Sequence, residues 1–511
     1  MTTRRAVLAG AMAFAGTPAA RASTPDVSVT CRAGRFTGER RGDVSAFRGI
    51  RYGRADRFRA PVAEPPGREP VRAVAFGPAC PQRGKRRPQG EDCLTLNVWT
   101  ADTRARLPVL VWIHGGAYAF GSASDPVTDG EVLAARGDVV VVSVNHRLNL
   151  FGYLYLARLD ARFPDSGNAG QLDLILALRW VRDNIAAFGG DPLRVTLIGQ
   201  SGGGAKIATL MAMPAARGLF HRAVTMSGQQ VTVSGPIRAT RRTRALLAKL
   251  GVTQAADLLA LAPERLLEGL DATDPFEASP LYMGPVLDGR SLERHPFWPN
   301  AHPLSRDIPL MLGGTRDETR EFFDPASAEI QALDWAALPD RIAAELPVDI
   351  LPEAVVAAYR QHSPSASPAD IFYAATTDGR SWRPQLIEAE ARARAGVPAY
   401  VYQVDFPSPT RPGRGAFHGI DIALVFGTLD AADAGTGTGP DARALSRTMQ
   451  DRIIAFAATG TPDVPGQMKW PAYTLENRAT MIFDRRSRVE RDPRRWQREL
   501  FAPVPYTQPG S

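Results

Sequence analysis

Short apolar runs recur along the chain, each bounded by glycine, proline or charged residues. They are PVLVWI (108–113), DVVVVSV (138–144), RVTLIG (194–199), IPLMLG (308–313) and AYVYQV (399–404). Runs of this length without polar alternation are typical of strands that are buried on both faces of a parallel sheet. We therefore predict that these segments are strands of one such sheet.

The segment before the third run has the periodicity of an amphipathic helix. Its apolar positions form one face over residues 169–188, namely Leu172, Ile175, Leu176 and the run from Leu178 to Val181. The sequence GGDP that begins at Gly189 predicts the helix end, with a glycine stop and a proline beyond it. Strands that alternate with such helices predict an α/β fold with a mostly parallel sheet and helices on both faces. Catalytic groups of such folds gather at the carboxyl ends of the strands.

The N-terminus has a different pattern. Residues 1–22 carry paired arginines (Arg4 and Arg5), an apolar run of about eleven residues and a small-residue end at Ala20-Arg21-Ala22, the layout of a cleaved export signal. The opening resembles a twin-arginine signal, and a Sec signal fits nearly as well. No later segment is apolar over the roughly 20 residues that span a bilayer. We therefore expect a soluble protein, secreted or periplasmic, without a membrane span.

Composition sets the domain organisation and excludes some partners. The chain has 511 residues, 44% of them hydrophobic, and neither a linker nor a repeat divides it, so we predict that residues 23–511 form a single domain. Removal of residues 1–22 takes away three arginines and no acid, which lowers the formal charge from +8 to +5. The densest basic patch, RGKRR (83–87), lacks interleaved aromatic residues and predicts a solvated loop, with no nucleic-acid partner.

The segment GQSGGGAK (199–206) follows the third apolar run and allows two interpretations. A phosphate-binding loop would need lysine directly after Gly204 and then a hydroxyl residue, but Ala205 and Ile207 break that pattern. The pattern G-x-S-x-G fits Gly199 to Gly203 without exception. In that motif a serine sits on a strained turn from strand to helix, so Ser201 is predicted as a nucleophile.

A nucleophilic serine needs a base, an acid and donors for the developing oxyanion. In the chain order Ser, acid, His, the best base is His418 in GAFHGID, which follows the last apolar run. The segment RDETRE (316–321) leaves the acid open among Asp317, Glu318 and Glu321. HGGA (114–117) predicts an oxyanion hole from the backbone N–H groups of Gly116, Ala117 and Gly202. No metal or cofactor is required.

These motifs together resemble the type-B carboxylesterase family of the α/β-hydrolase fold. The resemblance rests on segments in one order along nearly the whole mature chain: FRGIRYG (47–53), EDCLTLNVW (91–99), VWIHGGAYAFGS (111–122), NHRLNLFGYL (145–154), GNAGQLDLILALRWVRDNIAAFGGDP (167–192), LIGQSGGGAKIATLMAMP (197–214), GPVLDGRSL (284–292), GGTRDETREF (313–322), GAFHGIDIALVFG (415–427) and GTPDVPGQMKWPAY (460–473). It implies large insertions around an active-site gorge and the cleavage of small-molecule esters through an acyl-enzyme.

The resemblance also assigns roles to individual residues. It selects Glu318 as the acid, and it implies structural roles for Arg147 with Asp173 and for Glu91. It agrees with a disulfide between Cys80 and Cys93, which is plausible in an exported protein and leaves Cys31 over. The elbow departs from the family pattern, because Gln200 replaces a glutamate and Gly202 an alanine.

Substrate preference is less constrained by the sequence. The short loop between Cys80 and Cys93 contains no Trp, Tyr or Phe that could bind a quaternary ammonium, so we predict poor turnover of choline esters. Its basic residues suggest a preference for acidic esters; they are Arg83, Lys85, Arg86 and Arg87. Two alternatives to a general esterase are an enzyme specialised for one natural ester, such as a toxin or polyester fragment, and a non-catalytic binding protein on the same fold.

Overall fold

The predicted strands lie side by side in one large sheet in the computed structural model, which describes residues 26–84, 88–277, 279–346 and 348–511. The predicted export signal lies outside these residues. The strands of the described part are β1 (Asp26–Cys31), β2 (Gly34–Arg41), β3 (Val44–Arg51), β4 (Gly53–Arg54), β5 (Val62–Ala63), β6 (Val71–Arg72), β7 (Thr95–Thr100), β8 (Leu107–Ile113), β9 (Val140–Val144), β10 (Gly190–Gln200), β11 (Arg222–Met226), β12 (Leu310–Thr315), β13 (Ala399–Val404), β14 (Ala479–Phe483) and β15 (Arg488–Arg491).

Helices fill most of the connections between these strands. They are α1 (Glu131–Ala134), α2 (Asn149–Tyr153), α3 (Ala169–Asn184), α4 (Gly202–Leu210), α5 (Pro236–Leu250), α6 (Pro263–Glu268), α7 (Ala328–Gln331), α8 (Leu338–Glu345), α9 (Pro352–His362), α10 (Pro368–Thr377), α11 (Arg383–Arg394), α12 (Ile420–Phe426), α13 (Pro440–Thr459) and α14 (Arg495–Phe501). Among the described residues, no helix combines the length and the apolar character that crossing a membrane requires.

The strand order of the main sheet is β1-β2-β3-β7-β9-β8-β10-β11-β12-β13-β14-β15, with β6 beside β2. All neighbours from β9 to β14 in this order are parallel. The N-terminal strands and β15 add antiparallel edges. This mostly parallel sheet confirms the predicted α/β class. Its antiparallel edges and the strands β11 and β14 were not predicted, because those segments lack long apolar runs.

Side chains of the central strands point alternately into two hydrophobic cores. In β8, Val109, Val111 and Ile113 pack into one core, and Leu110 and Trp112 pack into the other. Since both faces are covered, every residue from the second position of this strand onward is buried. Double-sided burial explains why the run is apolar without alternation.

The helix predicted over residues 169–188 is α3 followed by a 3₁₀ turn from Ile185 to Phe188. It ends as predicted, because Gly189 adopts a left-handed conformation with φ of 82°. On the side of α3 towards β9, the guanidinium of Arg147 donates two hydrogen bonds to Asp173, at 2.9 and 2.7 Å, and both side chains are buried.

The cysteines of the predicted pair lie close together in the core. Cys80 and Cys93 are both buried, and Cys31 is partly exposed. A hydrogen bond with Cys80, together with burial, raises the pKa of the Cys93 thiol well above its usual range. The disulfide between Cys80 and Cys93 stays a prediction.

Candidate active site

Ser201 occupies the single-residue turn between β10 and α4. Its backbone is strained, with φ of 54° and ψ of −127°, and its N–H donates to the carbonyl of Met226 at 2.7 Å. The turn requires glycine at position 203, because a Cβ atom there would lie 2.0 Å from the carbonyl oxygen of Ile113. Strain of this kind, held by the surrounding backbone, is typical of functional turns.

His418 and Glu318 meet at the same end of the sheet. Glu318 follows β12 and His418 lies in the loop between β13 and α12, and the imidazole Nδ1 is hydrogen-bonded to Glu318 Oε2. The other carboxylate oxygen accepts the Ser227 hydroxyl at 2.6 Å and the Thr315 N–H at 2.7 Å. Burial alone would raise the pKa of Glu318, but His418 and these donors hold it below its usual value. The carboxylate is therefore ionised and fixes the orientation of the imidazole.

The structure distinguishes Glu318 from the other two acids of its segment. Asp317 accepts the N–H of Ala416 at 2.9 Å, and Glu321 pairs with Arg414 at 3.1 Å. Neither of these carboxylates is hydrogen-bonded to His418 among the described residues. The acid that the motif left open, and that the family resemblance selected, is thus the one in contact with the histidine.

Gln200 contacts the other nitrogen of the imidazole. Its side-chain Nε2 lies 3.0 Å from His418 Nε2. With Nδ1 donating to Glu318, the unprotonated Nε2 can accept the Gln200 amide N–H. No hydrogen bond joins the Ser201 hydroxyl to His418 in the described structure, although both residues line one cavity. The sequence singled out Gln200 as a departure from the family pattern, but gave no indication of this contact.

The predicted oxyanion donors lie beside Ser201. Gly116 and Ala117 both have positive φ, 86° and 56°, and a Cβ added to Gly202 would lie 2.7 Å from the nitrogen of Ala117. Within the described part of the chain, the N–H groups of these three residues donate to no protein acceptor. Unpaired amides that converge next to a serine form a site for an anionic oxygen.

A buried lysine contacts the loop that carries Gly116 and Ala117. Lys206, on α4, is fully buried; its ammonium donates to the carbonyl of His114 at 3.1 Å and lies 5.2 Å from the centre of the Tyr118 ring. Burial lowers the pKa of Lys206 to about 7. The imidazole of His114 stacks on that of His146, with ring centres 4.7 Å apart. A residue that appeared unremarkable in the sequence therefore contacts the loop that carries the oxyanion donors.

The cavity at Ser201 has a volume of about 150 Å³. Its further lining includes Phe322, whose ring centre lies 4.8 Å from that of His418, and Arg380. A larger cavity of about 400 Å³ lies between α11 and α14 and shares Tyr506 with it, but it does not contain Ser201. Sequence reasoning gave no role to Ser227, Phe322 and Arg380. Phe322 alone carried a signal, because it is the last residue of the family segment GGTRDETREF, whereas the strand before Ser227 was itself not predicted.

The described basic residue of the 83–87 loop does not line this cavity. Arg83 forms an ion pair with Asp271, and Lys85, Arg86 and Arg87 lie outside the described residues. Arg57 and Glu91 are also paired, through two hydrogen bonds of 2.5 and 2.6 Å, in agreement with a structural role for Glu91.

The parallel sheet, with Ser201 after β10, Glu318 after β12 and His418 after β13, defines an α/β-hydrolase. Solved structures share this fold. A crystal structure of a carboxylesterase of Geobacillus stearothermophilus is 36% identical, covers 93% of this chain and 99% of its own, and has a TM-score of 0.83. An esterase of Clostridium hathewayi, whose structure is described as that of an enzyme that can hydrolyse aliphatic aromatic polyesters, is 31% identical with a TM-score of 0.77, over 94% of this chain and all of its own.

Sequence comparison gives the family. The sequence profile described as "Carboxylesterase family" matches residues 24–501. The para-nitrobenzyl esterase of Bacillus subtilis is 36% identical over 499 residues, which cover 93% of this chain and 98% of that enzyme. The chain belongs to the carboxylesterase family and is a carboxylic ester hydrolase.

Proposed function

We propose that this enzyme cleaves esters through a covalent acyl-enzyme formed on Ser201. The Ser201 oxygen attacks the ester carbonyl carbon while its proton passes to His418 Nε2, and the carbonyl π electrons move onto the oxygen. Collapse of this intermediate breaks the bond to the alcohol oxygen, which leaves with the proton from His418. Water then repeats the sequence on the acyl-enzyme and releases the acid.

The observation that carries this proposal is the hydrogen bond from His418 to Glu318, with His418 lining the same cavity as Ser201, Ala117 and Gly202. Glu318 stabilises the imidazolium formed in each proton transfer, and the N–H groups of Gly116, Ala117 and Gly202 stabilise the oxyanion. The hydroxyl of Ser201 must reach the nitrogen that Gln200 now contacts. We infer that substrate binding moves the Gln200 amide away from Nε2.

The test of the mechanism is the variant Ser201→Ala with 4-nitrophenyl butyrate as substrate. The variant should lose at least about 10³-fold in kcat, because oxyanion donors and binding alone leave only a residual rate. Ser363→Ala, a change at an exposed serine at the end of α9, serves as the matched control. A fluorophosphonate should label the wild-type enzyme once, at Ser201 by peptide mass. Retained turnover, or label on another residue, would contradict the mechanism.

We extend the proposal to export and to the cysteines. The signal-like pattern of residues 1–22 supports cleavage after Ala22 and release from the cytoplasm. In an oxidising compartment, the contacting thiols of Cys80 and Cys93 would join in a disulfide. N-terminal sequencing of the exported protein and a two-dalton mass difference between reduced and non-reduced peptides test these two steps separately.

A further inference from the structure

Arg380 is a charged residue of the catalytic cavity that the ester-cleavage mechanism does not use. Its guanidinium carbon lies 4.7 Å from the centre of the Phe322 ring, and that ring in turn packs on His418. The Arg380 side chain forms no hydrogen bond or ion pair with any described residue, and the remaining residues of the chain include no aspartate or glutamate. Arg380 is exposed, so it lies where the cavity opens to solvent.

The fold holds the backbone of Arg380 in a wide helical turn. Residues Asp378–Trp382 form a π turn, which the N–H of Arg383 closes by donating to the carbonyl of Asp378. Asp378 is buried and accepts the hydroxyl of Tyr359 at 2.5 Å, and it also pairs with Arg494. Such turns occur often at functional sites.

The residues on either side of Arg380 are also fixed. A Cβ atom added to Gly379 would lie 2.6 Å from the Leu346 side chain, and the indole of Trp382 is buried. Two inner residues of the turn, Arg380 and Ser381, line the cavity instead. The turn is thus anchored by its ends, and it presents the guanidinium to the cavity.

The carboxylates nearest the cavity do not neutralise this cation. Glu318 is hydrogen-bonded to His418, Ser227 and Thr315 on the far side of the imidazole. Burial raises the pKa of Glu388 to about 8, so this carboxyl is mostly neutral at pH 7. The cavity therefore has a positive charge without a protein counter-ion.

We propose that Arg380 binds a free carboxylate on the substrate, so that the preferred substrates are anionic esters such as the monoesters of dicarboxylic acids. This inference rests on the esterase function proposed above. A guanidinium offers a planar pair of donors that matches a carboxylate. The guanidinium carbon of Arg380 lies 4.7 Å from the centre of the Phe322 ring, which lies 4.8 Å from the centre of the His418 ring. The sum of these two distances is the largest possible separation between the guanidinium carbon and the His418 ring centre. A chain of several carbons between the carboxylate and the scissile carbonyl is long enough to span a distance of this size.

The experiment compares monoethyl adipate with diethyl adipate, which share the acyl chain and the alcohol and differ by one negative charge. The readout is the kcat/KM value of the monoester divided by that of the diester, measured by ethanol release and corrected for the two ester bonds of the diester. Arg380→Gln should lower the ratio about tenfold, between the few-fold effect of an exposed ion pair and the hundredfold effect of a buried charged hydrogen bond. Arg380→Lys should restore part of it, and Arg380→Glu should lower it further.

Arg306→Gln is the matched control. This exposed arginine precedes β12 at the amino end of the sheet, opposite the cavity, and its removal changes the net charge by the same amount. The control should keep the wild-type ratio. Monoesters from glutarate to suberate should show an optimum of chain length in the wild-type enzyme that is lost in Arg380→Gln.

An unchanged ratio in Arg380→Gln would overturn the inference while leaving the esterase function intact, since the diester would still be cleaved. An equal effect in Arg306→Gln would also overturn it, because long-range attraction of anions depends on the net charge, whereas a direct contact requires Arg380 itself. If neither ester is cleaved by the wild-type enzyme, the proposed esterase function itself fails.

Discussion

Replacement of Lys206 by methionine should make the enzyme more stable and less active. The Lys206 ammonium is fully buried on α4, and the contacts that hold it are the His114 carbonyl and the face of the Tyr118 ring. The nearby imidazole of His146 adds no second positive charge, because burial and the charge of Lys206 keep its pKa well below the usual value. Methionine has a similar length and carries no charge.

The size of the effect follows from the pKa of Lys206, which burial lowers from 10.5 to about 7. At about 1.4 kcal/mol per pH unit, the buried ammonium costs at most about 5 kcal/mol of stability below pH 7. Lys206→Met also removes the hydrogen bond to the His114 carbonyl and the contact with the Tyr118 ring, and this loss offsets about half of the gain. We therefore expect Lys206→Met to raise the free energy of unfolding by about 2 kcal/mol at pH 6.5.

The pH dependence has a definite sign. Between pH 7 and 10.5 the unfolded chain binds the lysine proton and the folded chain has released it, so wild-type stability rises with pH in this window. The advantage of Lys206→Met should accordingly shrink by about 2 kcal/mol between pH 6.5 and 9. Urea unfolding at several pH values measures both quantities, because titrations common to both proteins cancel.

The control and a second readout make this prediction specific. Lys249→Met removes an exposed lysine at the end of α5 and should change stability by less than about 0.5 kcal/mol at every pH. Loss of the contact with the His114 carbonyl should loosen the oxyanion loop and lower kcat about tenfold. A Lys206→Met protein that is less stable than wild type at pH 6.5, or whose stability difference does not vary with pH, would refute the reasoning.

Three further predictions concern the residues around the imidazole. Glu318→Gln should lower kcat about 10³-fold or more, because the amide cannot stabilise the imidazolium; a loss below tenfold in steady-state assays would contradict this role. Gln200→Glu should move the acid limb of the pH–rate profile to higher pH, since a carboxylate at 3.0 Å favours protonated His418, and an unchanged profile would refute the contact. Burial and the charge of Glu318 raise the pKa of Asp421 from 3.8 to about 7, so the folded state holds an extra proton and stability falls as pH rises through that window. Asp421→Asn, which keeps an acceptor for the Tyr402 hydroxyl, should therefore gain about 2 kcal/mol over wild type at pH 8 and almost nothing at pH 4, and an equal gain at both pH values in urea unfolding would argue against it.

Local patterns in the sequence were sufficient for the central strands and for the serine turn. Strands that are buried on both faces must be apolar throughout, and a turn in which Gly203 approaches the carbonyl of Ile113 admits no side chain. Such requirements restrict the residue types at the positions concerned, so they can be recognised in the sequence. The same reasoning placed His418 at the end of a core strand. It did not find the antiparallel edges, which tolerate polar residues.

Contacts between distant segments were decided by the tertiary structure alone. The local motif left three acids open after β12, and the family resemblance selected Glu318. The packing of the β13–α12 loop places this carboxylate against His418. Gln200 contacts the same imidazole, and Lys206 is buried against the His114 carbonyl of the oxyanion loop, although a polar side chain at either position is compatible with an exposed surface. Arg380 lies in the cavity because a π turn far along the chain directs it there. The sequence specifies the chemistry and the local conformation of each residue. The charges and hydrogen-bond donors around a residue depend on the tertiary fold, because it brings segments that lie hundreds of residues apart into contact.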